Sequence, residues 1–76
     1  MRRSGNALRD ARKVSALTQV EMGQRLGGIT GPAVASRERR PGKMALEDIG
    51  SWYLQCNPTG REWIRSWVES FFRSLG

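Results

Sequence analysis

The residues best suited to chemistry in this 76-residue chain are its cations, and they are unevenly placed. Arg37, Glu38, Arg39, Arg40 and Lys43 crowd one short stretch, "SRERRPGK". Guanidinium and ammonium groups hold phosphate and carboxylate through charge-assisted hydrogen bonds. Over residues 1–44 ten cations face three anions, a net +7, whereas over residues 45–76 three face four, a net −1. All of the overall +6 therefore lies in the first part, and nucleic acid is the polyanion such a surface suits. An anionic membrane would call for a basic amphipathic helix, but the most amphipathic segment lies in the near-neutral part. No apolar run approaches the ~20 residues of a membrane span. The start, "MRRSGNALRD", lacks the apolar core of a secretory signal. No membrane partner is expected.

Catalysis finds little to work with. The chain has no histidine and one cysteine, Cys56, so the thiol has no imidazole base and no metal cluster can be assembled around it. Cys56 reads as a small, partly buried apolar side chain. A single thiol suits the reducing cytoplasm. Carboxylates are few and show no obvious pairing. No enzyme activity, cofactor, metal or small-molecule ligand is expected.

The elements that must position the cations read as five short helices, an all-α fold in one domain. Leu8, Ala11 and Val14 or Ser15 fall at helical spacing between about Ser4 and Ala16. Thr18 with Glu21 three residues on forms a capping box for a second helix ending at Leu26, with Val20, Met22 and Leu26 apolar and Gly23 small. Gly27-Gly28 stops it, since glycine takes the left-handed conformation past a helix end. Thr30 caps a third helix, with Gly31 and Pro32 in its first turn, where proline is tolerated. That helix runs to Arg39 before Pro41-Gly42. Ala45 to Gln55 is a fourth helix with a stripe of Leu46, Ile49, Trp52 and Tyr53, broken by Asn57-Pro58. Thr59 and Glu62 suggest a further capping box for a fifth helix, about residues 59–75.

At this point "LRDARKVSALTQVEMGQRLG" followed by "ITGPAVASRER" resembles the lambda-repressor/Cro-like, XRE-type family of helix-turn-helix DNA-binding proteins. The resemblance covers about residues 8–54 and rests on the spacing of "LTQ", "LG" and "ER". It implies a helix-turn-helix over about residues 18–39. It also implies a buried salt bridge between Arg12 and Glu38 that holds the recognition helix in place. Thr18 and Gln19 would meet a DNA phosphate at the start of helix two. Thr30, Gly31, Pro32, Ala33, Ala35, Ser36 and Arg39 would face the groove, while Val34 faces the core. Pro32, Ala33 and Ala35 can pack on thymine methyls, Ser36 can bond to either base type, and Arg39 can take guanine O6 and N7.

This chain departs from the family in three ways. The groove face has little bidentate hydrogen-bonding capacity, Gly28 adds a residue to the turn, and Arg37 stands where an apolar residue is common. Arg37, Arg40 and Lys43 would then rim the groove against phosphates, with Arg2 and Arg3 as a basic arm over residues 1–4.

Helix five is too aromatic to face solvent alone. It carries two lines, Trp63, Trp67 and Phe71 beside Ile64, Val68, Phe72 and Leu75. One line would cover the core and the other a second copy. The expectation is a cytoplasmic transcription regulator, a Cro-like repressor or autoregulator of phage, plasmid or bacterial type. It would bind double-stranded DNA as a homodimer on an inverted repeat. The rival reading keeps the fold but makes it a protein-interaction module such as an antitoxin or adaptor.

Overall fold

A computed structural model describes residues 7–75. They form α1 (Ala7–Val14), α2 (Gln19–Arg25), α3 (Gly31–Arg39), a 3-10 turn (Pro41–Lys43), α4 (Leu46–Gln55) and α5 (Pro58–Leu75). Among the described residues every element is helical and no strand occurs. The fold is all-α, as the periodicity predicts. α5 packs chiefly along α1, and α2 packs on α3. Leu8, Ala11, Met22, Val34, Trp52, Cys56 and Ile64 meet in one core, each nearly free of solvent contact. The Trp52 indole N–H donates to the Leu8 carbonyl at 3.1 Å, so the largest buried side chain leaves no polar atom stranded.

Helix ends follow local chemistry. Thr18 Oγ1 accepts the Glu21 amide at 3.0 Å, and Glu21 Oε1 accepts the Thr18 amide at 2.9 Å. These reciprocal bonds to Thr18 hold the Glu21 carboxyl below the usual glutamate range, the backbone bond being the larger cause. Thr30 Oγ1 accepts the Ala33 amide at 3.2 Å, which starts α3 directly at Gly31 with Pro32 in its first turn. Gly27 and Gly28 both take positive φ, 97° and 91°, and their turn folds back onto α2. The Gly23 carbonyl accepts the amides of Gly28 and Ile29 at 2.9 and 3.0 Å. Gly28 therefore takes part in closing this turn.

Four expectations need correction. The described part of helix one ends at Val14, not Ala16, because Ala16 adopts φ 60° and ends the helix. Val20 is exposed, since two residues along a helix from buried Met22 places it on the other side. Leu46 is likewise exposed at the start of α4.

The fourth concerns α5, which is not capped by Thr59 with Glu62. Asn57 Oδ1 accepts the Gly60 amide at 2.8 Å, and Pro58 occupies the first helical position. Asn57-Pro58 breaks α4 and starts α5 in one step. The same asparagine ties the corner to α1: its Nδ2 donates to the Val14 carbonyl and its amide to Ser15 Oγ, both at 2.9 Å. Gly60 then lets α5 approach α1, for a Cβ there would stand 2.8 Å from the Ala11 carbonyl oxygen.

Candidate nucleic-acid interface

α3 is held by its inner face. Val34 and Glu38, one turn apart, are both buried. Arg12 Nε from α1 donates to Glu38 Oε2 in a short contact, and Arg12 Nη2 reaches Oε1 at 3.5 Å. Arg12 Nη1 donates to the Leu17 carbonyl at 2.7 Å. Gln19 Nε2 adds a bond to Glu38 Oε1 at 3.2 Å. With Arg12 and Glu38 only 6% and 4% exposed, this is a desolvated ion pair whose lone pairs and protons are largely used. It fixes α3 against α1 and α2 and is almost wholly shielded from solvent.

The opposite face of α3 is open. At 100° per residue, Pro32, Ser36, Arg39 and Arg40 lie opposite Val34 and Glu38, and all four are exposed. Ala33 and Ala35 are half-exposed beside them. Lys43, on the 3-10 turn, is also exposed. These residues form one convex strip with a capped N-terminus and a cationic C-terminal end.

Four residues expected at the interface are placed as follows, Thr18 as expected and the other three differently. Gly31 is half-buried, and a Cβ on it would lie 3.3 Å from Val20 Cγ2, so this position packs on α2 and does not project outward. The side chain of Gln19 turns inward to Glu38, which makes it part of the support of α3. Thr18 is exposed, with its hydroxyl engaged by the α2 cap. Arg37 sits on the flank of the strip and bonds across to α4, Nη1 to Asp48 Oδ2 at 3.4 Å. Arg2 and Arg3 lie outside the described residues.

Arg37 and Asp48, with Ser36, Arg40, Lys43, Met44 and Ala45, line a shallow basin of about 380 Å³ beside the strip. Asp48 was not singled out by sequence, although an acid in the first turn of a helix is a favoured placement and marked it as fixed in space.

The expected dimer surface divides along the length of α5 instead of between its two lines. Ile64 is 1% exposed and belongs to the core, so it cannot meet a partner. Trp67 and Val68 pack on the core from its edge, and Trp63 is half-buried. Phe71, Phe72 and Leu75 are 52%, 55% and 69% exposed. Beside them runs an apolar groove of about 290 Å³, lined by Pro41, Gly42, Met44, Leu46, Ile49, Trp67, Val68, Phe71 and Phe72. Met44 lines both this groove and the basic basin, so the two surfaces meet at the turn between α3 and α4.

One cation of the C-terminal part, Arg61, serves the scaffold. Arg61 donates to the carbonyls of Tyr53, Leu54 and Cys56 at 3.2, 2.9 and 3.0 Å, closing the end of α4, with its guanidinium 5.5 Å from the Tyr53 ring centre. Burial pushes the Cys56 thiol up, which keeps it neutral and away from nucleophilic chemistry. Among the described residues no three histidine, cysteine, aspartate or glutamate side chains gather as a metal site. No described helix is long and apolar enough to cross a membrane.

Comparison of the chain with protein-family models, with curated proteins and with solved structures finds no match.

Proposed function

We propose that this chain is a sequence-specific double-stranded DNA-binding regulator built on a lambda-repressor/Cro-like helix-turn-helix. It acts in the cytoplasm as a repressor or autoregulator. The observation that carries the reading is the two-sidedness of α3. Its inner face is locked by Arg12, Glu38 and Gln19, and its outer face presents Pro32, Ser36, Arg39 and Arg40 to solvent. A rigid helix with an open, cationic outer strip is what insertion into a major groove requires. Ser36 and Arg39 contact base edges, Ala33 and Pro32 pack on thymine methyls, and Arg40 and Lys43 hold phosphates. So few hydrogen-bonding groups on the strip shift discrimination toward groove shape and deformability. Occupancy of the site excludes RNA polymerase.

The regulator works as a homodimer, a second copy covering Phe71, Phe72 and Leu75 beside the apolar groove. Two copies meeting through the near-neutral part keep their basic faces apart. The dimer places two recognition helices about 34 Å apart on an inverted repeat.

Selection from a random duplex pool should return an inverted repeat. On that repeat, Arg39→Ala relaxes discrimination at one base position, whereas Lys43→Ala weakens all sequences alike and lowers the salt slope by about 1. A pool that shows no enrichment, or two variants that bind as the parent does, removes the reading. The exposed end of α5 favours one rival, a protein-interaction module whose α5 holds an unrelated protein. For that rival, duplex affinity never rises above the non-specific level.

A further inference from the structure

Among the described residues, Arg37 is the one cation of the basin for which a carboxylate partner is seen, and that partner decides what it is available to do. The two side chains meet at 3.4 Å and are 36% and 48% exposed, so the pair sits at the surface of the basin and is loosely held. Asp48 has the shorter side chain of the two. It lies in the first turn of α4, where the helix dipole favours its charge, and its amide bonds to the Ala45 carbonyl at 3.0 Å. Arg37 is the longer, more adaptable side chain, and it projects from the flank of the α3 strip that would lie nearest a phosphate backbone. Arg40 and Lys43 line the same basin, where Asp48 is the sole lining carboxylate among the described residues.

We infer that Asp48 withholds Arg37 from DNA phosphodiesters and thereby limits the sequence-independent part of duplex binding and its response to salt. The inference rests on the DNA-binding reading above. A phosphate that reaches Arg37 must displace Asp48 from it. With Asp48 in place two of the three lining cations, Arg40 and Lys43, are open to phosphate, and without it all three are. Counterion release converts each added phosphate contact into a steeper dependence on salt, about 0.9 in the log–log slope. Asp48 thus keeps the basic surface from binding every duplex strongly, which is how a regulator with few base contacts retains discrimination.

The test measures binding of the full chain to a random-sequence duplex across a salt series, for the parent, Asp48→Asn, Arg37→Gln and the double variant. Asp48→Asn should bind roughly five- to tenfold tighter at 0.1 M salt, with the slope steeper by about 0.9. Arg37→Gln should match the parent, and the double variant should match Arg37→Gln. Asp48→Glu should restore parental behaviour, and all variants should keep near-parental unfolding midpoints.

An Asp48→Asn gain that persists undiminished in the Arg37→Gln background makes Asp48 a plain repelling charge and overturns the inference. So does an unchanged slope in Asp48→Asn, or a lowered slope in Arg37→Gln alone. A parent chain that binds no duplex removes the DNA-binding reading and this inference together, an outcome distinct from the others.

Discussion

Arg37 and Glu38 are neighbours on α3, and each forms an ion pair with another helix, yet the two pairs live under opposite physics. Glu38 meets Arg12 at 4% and 6% exposure, with Gln19 and the Leu17 carbonyl completing the network. Arg37 meets Asp48 with more than a third of each side chain in water. In the first pair both charges have been taken out of water, so losing one partner leaves the other stranded at large cost. In the second, solvent screens both charges and can replace either. One residue along a helix turns the side chain by 100°, and that rotation separates a structural clamp from a surface contact that a ligand can displace. The inner pair determines where α3 is held, and the outer pair tunes what α3 meets.

The sharpest way to break the comparison is to cut each pair on one side. Arg12→Ala should lose about 3–5 kcal/mol of unfolding free energy, because it leaves the Glu38 carboxylate buried without its guanidinium. Denaturant titration would show this as a lower midpoint at similar slope, and a loss near zero would contradict the desolvated clamp. Next in size, Gly60→Ala should cost roughly 1–3 kcal/mol, since the new methyl meets the Ala11 carbonyl, Ser15 Oγ and Cys56 Cβ and forces α5 off α1. This variant asks whether the buried side depends on close approach as well as on charge.

Asn57→Ala should follow, at about 1 kcal/mol for the lost helix cap. A null result there would restore Thr59 as the effective cap. At the outer pair, Asp48→Ala should change stability by no more than about 1 kcal/mol. A larger loss would make that pair a structural tie and erase the contrast. Smallest of all, Phe72→Asp should leave the stability of the isolated fold within about 0.5 kcal/mol. Sedimentation should nevertheless show it monomeric at tens of micromolar, where the parent should be dimeric. A parent that is itself monomeric at that concentration would remove the second copy from the account.

What could be read from sequence follows the same divide between local and distant causes. The Thr18–Glu21 box, the Thr30 cap and the Gly27-Gly28 stop are decided within four residues, so their bounds were legible without any tertiary information. Val34 on the core side of α3 and the Arg12–Glu38 contact were accessible through a resemblance, not through spacing alone.

Other features depended on geometry that a linear pattern lacks. Asn57-Pro58 was read as a helix breaker because its partners, Val14 and Ser15, lie more than forty residues away. Arg37 was assigned to phosphate because nothing in "SRERR" reveals Asp48 across the turn. The two apolar lines of α5 gave no hint that burial would change along the helix. That change separates Ile64 from Phe71, Phe72 and Leu75.

The central claim, that the outer face of α3 is the surface that engages DNA, is open to one direct measurement. Backbone amide shifts of the full chain would be followed by heteronuclear magnetic resonance as a duplex carrying the selected repeat is added. The account predicts perturbations that cluster from Thr30 to Lys43, with α5 affected least. Perturbations that gather on α5 and the apolar groove, or an unchanged spectrum at saturating duplex, would contradict it.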